Sequence, residues 1–592
     1  MRYLPTGNEM ISLPRLRETD AAIEDVTFLH MGAKGLIDIR SRDALIRPFA
    51  EYEGAELPLT DMRWQRLCSW LPSFTCRAGP FVLTGTILCP IGERGFAVRL
   101  EICSADGEPR QVSVGLRGSW DGAYHCVNEE KPIEGALRCY ESGWNGGPVF
   151  DMRCGLPLFA FAPMCAPCCE SSFSQSCCGA DYSLRRRLTA SADAQSTDFF
   201  WGFGFEEVAA ATSAKEMLRQ GWDDELRRTL AWLAARSARL SDEKLTDIYN
   251  LNLFFCIFYS AGVTLDTEEF VLVTSRSPRY YVSAAYWDRD SLYWSFPAVL
   301  DADAELAKRM LEYVFTRQAR NFGVHSRFID GTVLEPGFEL DELMAPAIAL
   351  HSYVSRTGDR DFAGEAHVRR GCADILRRLD ERHCPALGLY STFLQPTDDE
   401  RVHPYLTYDN ALVWRAMRAL AELYPGEYAH LTEKAEGVKR SIYKNCVRAD
   451  GRGGELFAWS VDTDGSYDIY DEPPGSLLLL PRLGFCGWDD PIYLNTAARI
   501  RSPEYKYSFA ASPVSEIGCP HAPHPWVLSL ANSLLCGRRG SGETLKAMPM
   551  DNGIACESVD EVTGECVTGE AFATCAGFLC HALRETFGEA RA

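Results

Sequence analysis

The first third of the chain alternates hydrophobic and polar residues with a period of two. Residues 96–103 follow this pattern, as do residues 112–117. Alternation of this kind buries one face of a β-strand and exposes the other. Asp106 and Gly107 lie between the two stretches and have the composition of a turn. Further strands of this type, separated by Gly and Pro, predict an antiparallel β-sandwich over residues 1–210.

After residue 210 the apolar positions recur at helical spacing. Leu218, Trp222 and Leu226 begin this pattern, behind a capping-box pair of Ser213 and Glu216. A connecting helix is therefore predicted over residues 211–240. From residue 241 to 592 nearly every segment is predicted to be a helix or a loop between helices. The predicted helices lie near residues 242–262, 290–300, 302–321, 339–356, 360–380, 408–424, 428–447, 476–484, 489–501, 522–537, 541–549 and 569–585.

Helices in this number, joined by alternately short and long loops, suit a double ring of six helical hairpins. No repeat of fixed period is visible, which disfavours a solenoid. The predicted fold class is α+β and multidomain, with an N-terminal antiparallel β-sandwich followed by an (α/α)6 toroid over residues 241–592. The long loops of a toroid converge on a cavity at one end, and we expect the functional site there.

Composition and charge exclude several classes of partner. The chain has 592 residues, of which 46% are apolar and 24% charged, as in a globular protein with a substantial core. The formal net charge is −22, so nucleic acid and anionic membrane surfaces would repel the chain. No apolar run is long enough to span a bilayer, and the N-terminus has no apolar signal segment. A cytoplasmic location is expected.

The 23 cysteines are an odd number scattered through the chain, which predicts mostly buried free thiols. One cluster stands apart and contains Cys165, Cys168, Cys169, Cys177 and Cys178. Four of these sulfurs would be enough for a structural zinc site, but two adjacent cysteines reach one ion poorly. A cysteine-rich surface loop is the preferred interpretation, with zinc as the alternative.

The helical part contains five stretches in which acids and aromatic residues occur together. The first is Tyr286–Ser291, where Arg289 stands between two aspartates and beside Trp287. Charged acceptors and a planar guanidinium give the directional hydrogen bonds that hold sugar hydroxyls, although acids also simply stabilise a helix N-terminus. The second stretch holds Glu339 and Asp341, at the start of a predicted helix.

The third stretch is the acidic loop Gln395–Glu400, followed by the Tyr408-Asp409-Asn410 segment. Adjacent carboxylates that are desolvated raise one another's pKa, a property that a general acid needs; if solvated, they only form a turn. The fourth stretch holds His521 and Trp526, and the fifth holds Glu557. Two carboxyl groups facing one glycosidic bond are the minimal equipment for glycoside hydrolysis.

Read in order, the five stretches resemble those of glycoside hydrolase family 125, the metal-independent exo-α-mannosidases, whose (α/α)6 toroid is shared with the glucoamylases. The resemblance covers about residues 240–590. Trp287–Ser291 resembles the family's Arg-Asp-Ser element, which implies that Arg289 and Asp290 hold the terminal sugar. Glu339–Asp341 resembles its Glu-x-Asp-Ser helix. Gly518–His521 with Trp526 resembles its Gly-Ser-Pro-His and Trp-Pro stretch.

The resemblance also implies the roles of the reacting carboxyls. Phe393–Asp399 is similar to the family's Phe-Arg-Pro-Ser-Asp-Asp loop, which implies that Asp398 is the general acid, with Asp399 as the rival. Cys556–Ser558 is similar to its His-Glu-Ser, which makes Glu557 the base that activates water in an inverting mechanism. The two carboxyls are then expected about 6.5 to 9.5 Å apart.

Four positions depart from the family pattern. They are Cys556 in place of His, Gln395 in place of Arg, Glu342 in place of Ser, and Thr574 in place of an aromatic residue. These departures bear on the preference for mannose more than on the type of reaction, because both carboxyls are retained.

The predicted function is an inverting, exo-acting α-glycoside hydrolase, an α-mannosidase by preference, with an α-glucosidase or debranching activity as the alternative. A disaccharide phosphorylase and a non-catalytic carbohydrate-binding protein are the competing classes. No metal or cofactor is expected, the partner is an oligosaccharide or glycoside, and the linkage and oligomeric state stay open. The predicted sugar-binding residues are Trp287, Arg289, Asp290, Glu339, Asp341, Asn410, His521 and Trp526.

Overall fold

The structure is a computed structural model that describes residues 2–176 and 179–588. The chain divides into two compact units. The first unit comprises residues 2–237, 257–271 and 275–284, and the second comprises residues 238–256, 272–274 and 285–588.

The first unit is built from β-strands. In chain order they are β1 (Thr6–Gly7), β2 (Ser12–Leu13), β3 (Asp25–His30), β4 (Gly35–Arg40), β5 (Arg47–Tyr52), β6 (Ala55–Glu56), β7 (Leu59–Leu67), β8 (Leu71–Ala78), β9 (Phe81–Leu88), β10 (Gly95–Ser104), β11 (Arg110–Trp120), β12 (Gly122–Cys126), β13 (Glu130–Pro132), β14 (Ala136–Ser142), β15 (Gly147–Cys154), β16 (Leu156–Cys165), β17 (Glu170–Ser176), β18 (Gly179–Ala190) and β19 (Gln195–Gly204).

These strands form three antiparallel sheets. Their orders are β1-β2-β3-β4-β12-β13, β14-β15-β16-β19-β10-β9-β8-β7 and β17-β18-β11-β5-β6. One buried apolar cluster contains residues from all three sheets, and within it Phe96 stacks on Trp201 with ring centroids 5.0 Å apart. The predicted strands at 96–103 and 112–117 are β10 and β11. They belong to different sheets, and the turn between them uses Gly107 at a φ of 81°.

The predicted single connecting helix is two helices. They are α1 (Glu207–Gln220) and α2 (Trp222–Arg236), and they are separated by Gly221, whose φ of 84° is unfavourable for other residues. The Glu206 side chain accepts a hydrogen bond from the backbone of Ala209 and so caps α1. Ser213 therefore lies inside a helix, and the predicted capping box at that position is wrong.

The second unit is mainly helical. Its helices are α3 (Glu243–Tyr259), α4 (Phe296–Ala302), α5 (Ala304–Tyr313), α6 (Leu340–Thr357), α7 (Arg360–Gly364), α8 (Ala366–Asp380), α9 (Thr407–Leu423), α10 (Pro425–Tyr428), α11 (Leu431–Asn445), α12 (Pro491–Ile500), α13 (Val527–Leu535), α14 (Ser541–Ala547) and α15 (Ala573–Phe587). The predicted helix at 476–484 is only a 3₁₀ turn, Leu477–Leu479, because Pro481 lacks the N–H that would continue it. Among the described residues, no helix combines the length and apolar character needed to cross a membrane.

Short strands occur in the loops that follow α3. They are β20 (Ala261–Val263), β21 (Phe270–Leu272), β22 (Val324–Arg327), β23 (Val333–Phe338), β24 (His383–Cys384), β25 (Leu389–Tyr390), β26 (Tyr405–Leu406), β27 (Val447–Ala449), β28 (Glu455–Phe457), β29 (Ser460–Val461), β30 (Tyr467–Asp468), β31 (Ser558–Val559) and β32 (Cys566–Thr568). The hairpins β22–β23 and β31–β32 carry residues of the site described next.

Candidate active site

The buried guanidinium of Arg289 hydrogen-bonds to three carboxylates. Arg289 begins a π-helical turn, Arg289–Ser295, that leads into α4, and its side chain is only 2% exposed. Its Nη1 donates to Glu339 at 2.6 Å and to Asp341 at 2.9 Å, and its Nη2 donates to Asp398. Three of the predicted motifs therefore meet at Arg289.

The start of α6 brings these acids to the guanidinium. Glu339 is the N-cap residue of α6 and Asp341 lies in its first turn, where a helix favours negative charge. Glu342, which departs from the family pattern, accepts hydrogen bonds from the backbone N–H groups of Asp288 and Arg289. This departure therefore fixes the turn that carries Arg289.

Asp290 lies on the same turn and is bonded to α15. The Thr574 hydroxyl donates to its Oδ1 at 2.8 Å, and burial raises the pKa of Asp290 to about 7. Thr574, a second departure from the family pattern, is thus a direct partner of a predicted sugar-binding residue.

His325 is a site residue that the sequence did not reveal. It lies on β22, hydrogen-bonds to Glu339 through Nδ1, and has the same nitrogen 3.7 Å from Asp398. The Trp287 indole nitrogen lies 3.4 Å from the same His325 nitrogen. Burial alone would lower the pKa of His325, but the hydrogen bond to Glu339 and the charge of Asp398 raise it. The sequence offered one signal for His325, which is that it lies two residues before Arg327 on the same strand.

The acidic loop presents two aspartates in different directions. Asp398 has a φ of 66° and turns towards Arg289, with 37% of its side chain exposed. Asp399 faces His521, whose Nδ1 is 3.5 Å from Asp399 Oδ2. The hydrogen bond from His521 lowers the pKa of Asp399. A non-glycine residue with positive φ is uncommon and is often associated with function.

Across His521 from the acidic loop lies the carboxylate of Glu557, the residue just before β31. Its side chain is 4% exposed, and its Oε2 accepts a hydrogen bond from the Thr568 hydroxyl at 2.6 Å. Its Oε1 is 3.9 Å from Nε2 of His521. The hydrogen bond to Asp399 raises the pKa of His521, and the charge of Glu557 acts in the same direction. One imidazole ring therefore lies between Asp399 and Glu557.

Trp526 and Asn410 are buried, and their polar groups bond to backbone. The Trp526 indole N–H donates to the carbonyl of Ala522, and its ring lies 6.1 Å from that of His521. The Asn410 amide donates to the carbonyls of Tyr390 and Leu406 and accepts from the backbone N–H of Tyr390. All of these Asn410 contacts are to backbone, and its sugar-binding role stays a prediction.

An open cavity of about 360 Å³ adjoins the His521 side of the site. It contains Asp399 and His521, and its walls include the aromatic rings of Tyr470 and Tyr507. Its full lining is Gln395, Asp399, Glu400, Val402, Asp468, Tyr470, Tyr507, Pro520 and His521. The volume is at the lower end of the range for small-ligand pockets.

Within the described residues, one candidate metal-ligand group occurs at this site. The group consists of His325, Glu339 and Asp398, whose ligating atoms lie within 4.8 Å of one another. Arg289 already donates hydrogen bonds to the carboxylates of Glu339 and Asp398. Of the cysteine loop, Cys165, Cys168 and Cys169 belong to none of the three-ligand groups found in the described part of the chain. Cys177 and Cys178 lie outside the described residues.

Comparison with known proteins shows a family resemblance over part of the chain. The family "Metal-independent alpha-mannosidase (GH125)" matches residues 380–583, which include the acidic loop, His521 and Glu557. The match confirms the predicted resemblance to glycoside hydrolase family 125 over these residues. A curated relative, the Meiotically up-regulated gene 157 protein of Schizosaccharomyces pombe, is 30% identical over 152 residues, which are 24% of this chain and 30% of the relative. The chain thus spans about a third of that relative's length.

Solved structures share the fold at low sequence identity. A metal-independent α-mannosidase of Streptococcus pneumoniae, in a non-productive complex with α-1,6-mannobiose, is 18% identical with a TM-score of 0.54, over 61% of this chain and 97% of that one. A bacterial glucoamylase complexed with acarbose is 12% identical with a TM-score of 0.69, over 99% and 94%. A putative kojibiose phosphorylase from the human microbiome is 10% identical with a TM-score of 0.61, over 99% and 86%.

Proposed function

We propose that this chain is an inverting, exo-acting α-glycoside hydrolase, by preference an α-mannosidase, and that the helices of its second unit form an (α/α)6 toroid. The family match and the mannobiose-bound and acarbose-bound structural relatives support this choice. The observation that carries it is the placement of Glu557 opposite the acidic loop, with the imidazole of His521 between Glu557 and Asp399.

Asp398 is the proposed general acid. The resemblance of Phe393–Asp399 to the family's acid-bearing loop supports this choice over Asp399. Asp398 also contacts Arg289, at the border between the buried polar cluster and the acidic loop. It would donate its proton to the glycosidic oxygen as the bond from that oxygen to the anomeric carbon breaks.

Glu557 is the proposed general base. The hydrogen bond from Thr568 orients its carboxylate, and its other oxygen faces His521. Glu557 would take a proton from the water that attacks the anomeric carbon on the face opposite the leaving group. This displacement inverts the configuration, so an α-linkage yields a β-anomer first.

The buried polar cluster is the proposed site for the terminal sugar. Arg289, Asp290, Glu339 and Asp341 offer fixed donors and acceptors, and charged groups give directional hydrogen bonds to hydroxyls. The open cavity beside Asp399 would accept the leaving part of the substrate.

An NMR time course tests substrate and stereochemistry together. The purified protein is incubated with α-mannobiose isomers and, in parallel, with α-glucobiose isomers. We expect cleavage of a mannoside and β-mannose as the first product. Release of α-mannose first would contradict inversion, and cleavage of glucosides alone would establish the α-glucosidase alternative. Sugar protection against thermal unfolding without cleavage of any disaccharide would establish a binding protein.

The acid is assigned by leaving-group dependence. Asp398→Asn should lower kcat/KM for α-mannobiose by about 10²-fold or more, but much less for 2,4-dinitrophenyl α-mannoside, whose leaving group needs no proton. Asp399→Asn is the matched variant on the neighbouring residue. The reverse pattern would make Asp399 the acid, and an equal loss on both substrates for both variants would exclude proton donation from this loop.

A further inference from the structure

We propose that Glu472 is a positioning residue that holds the acidic loop in the geometry required of its general acid. The catalytic consequence of this inference rests on the proposed function, but the contacts of Glu472 are independent of it. Glu472 precedes Pro473-Pro474-Gly475, outside the five motifs that the sequence analysis identified. It is completely buried.

Both oxygens of Glu472 bind the residue immediately before Asp398. Oε1 accepts a hydrogen bond from the backbone N–H of Thr397 at 2.9 Å, and Oε2 accepts one from the Thr397 hydroxyl at 3.0 Å. The Tyr470 hydroxyl donates to the same Oε2 at 3.1 Å. Two bonds to one residue fix both its position and its orientation.

The loop is a closed turn that needs such an attachment. The Asp398 N–H donates to the carbonyl of Gln395 at 2.8 Å, and the Gln395 N–H donates to the carbonyl of Asp399 at 2.9 Å. These bonds close the turn internally, while Thr397 joins it to Glu472. Asp398 has positive φ, a conformation that costs free energy and persists only when its surroundings enforce it.

The segment that carries Glu472 is itself well anchored. The next residue's carbonyl, that of Pro473, accepts a hydrogen bond at 2.9 Å from the Asn532 side chain on α13. Gly475 lies against Pro396, whose ring would be 2.5 Å from a Cβ at that position. The segment therefore holds the acidic loop in two ways. Glu472 hydrogen-bonds to Thr397, and Gly475 packs against the ring of Pro396.

Asp471 provides a matched control. It is as deeply buried as Glu472 and adjacent to it, but its carboxylate accepts from the Ser476 hydroxyl at 2.6 Å and from the Leu477 N–H at 2.7 Å. These bonds remain within residues 471–477 and do not reach the acidic loop. A purely structural role for buried carboxyls in this segment would make the two positions equivalent.

The test combines hydrogen exchange with kinetics in the full-length protein. In Glu472→Ala we expect amide exchange of residues 397–399 to rise at least about tenfold, since the loop loses its attachment. We expect kcat for α-mannobiose to fall by about 10- to 100-fold, with a much smaller loss on 2,4-dinitrophenyl α-mannoside, because a displaced acid affects only a leaving group that needs a proton. Asp471→Asn should lower Tm without either effect.

Glu472→Gln is the conservative variant. The amide keeps the shape of the side chain and an oxygen that can accept from the Thr397 N–H, and its NH2 group can donate to the Thr397 hydroxyl oxygen, so it should restore both slow exchange and activity. If Glu472→Ala does not fold, Thr397→Val decides the matter, because it removes one of the two bonds to Glu472 and should reproduce the selective loss. Unchanged exchange at residues 397–399, or the same change in Asp471→Asn, would overturn the proposal. An absence of hydrolysis by the unmodified protein would instead defeat the proposed function, leaving the exchange result to decide this one.

Discussion

The two ends of the candidate site differ in how their charges are held. At one end Arg289 is buried and bonded to Glu339, Asp341 and Asp398. At the other end His521 stands between Asp399 and Glu557 beside an open cavity, with contacts of 3.5 and 3.9 Å. The contacts of Arg289 with Glu339 and Asp341 are shorter and more buried than those of His521 with Asp399 and Glu557. Under the proposed function, the Arg289 end holds the terminal sugar and contacts the acid Asp398, and the His521 end holds the base Glu557.

Glu557→Gln should have the largest effect. It removes the proposed base but keeps the shape of the side chain and its contact with Thr568, so kcat should fall by about 10² to 10⁴-fold with little change in Tm. The loss should be similar for α-mannobiose and for an activated aryl mannoside, because both need the same water. Cleavage that persists and depends on added phosphate would instead support a phosphorylase.

Arg289→Lys should come next and should act on binding. Lys has one point charge and cannot satisfy the carboxylates that the planar guanidinium reaches, so each lost contact should lower the free energy of unfolding by about 1.5 to 3 kcal/mol. The affinity for mannose should fall as well, as measured by calorimetry. Arg327→Lys is the matched control, since Arg327 is equally buried but pairs with Asp288 and Glu342. Equal losses of mannose affinity in both variants would contradict a special role for Arg289.

Asp290→Asn should change how stability depends on pH. Burial raises the pKa of Asp290 to about 7 from an ordinary value of 3.8. Between these values the folded state holds a proton that the unfolded chain has released, so this stabilisation is complete below pH 3.8 and is lost as pH rises through 7. The variant should therefore gain stability relative to the parent as pH rises, by about 1.4 kcal/mol per pH unit. Urea unfolding at several pH values measures this, and a constant difference would contradict it.

A pair of Thr→Val substitutions should give the smallest effects and compare the two ends directly. Thr574→Val removes the hydroxyl bond to buried Asp290 and should lower stability by about 1 kcal/mol. Thr568→Val removes the bond to Glu557 and should lower kcat several-fold through a less well oriented base. Thermal unfolding and kinetics of both variants decide the matter. If both variants lose only stability, the functional difference between the two ends is absent.

The elements and most charged positions of the site were predictable from sequence. The helix periodicity placed α6 and α9 within a few residues, and acids at the start of α6 were expected to face the site. Arg289, Asp398 and Glu557 were identified because each lies in a compact motif of acids and aromatic residues. Charged residues in such motifs are recognisable without knowledge of their partners.

The partners were not predictable, because they come from distant parts of the chain. His325 lies on a short hairpin with no motif of its own, and Glu472 lies 75 residues from the Thr397 that it binds. Asn410 shows the same limit of local sequence. It follows two polar residues at a helix start, yet its side chain bonds to the backbone of the preceding strands. Local sequence does not distinguish these cases, since the acceptor or donor is set by the fold.

The left-handed backbone at Asp398 limits which replacements can be interpreted. Asn and Gly adopt this conformation at low cost, whereas a residue such as Ala or Val would add a backbone penalty of about 1 to 2 kcal/mol to the loss of the carboxyl. Replacement by alanine at this position would therefore combine the loss of the carboxyl group with a loss of stability. Only the amide variant separates the two, and a library built on small apolar substitutions would overstate the importance of the proton.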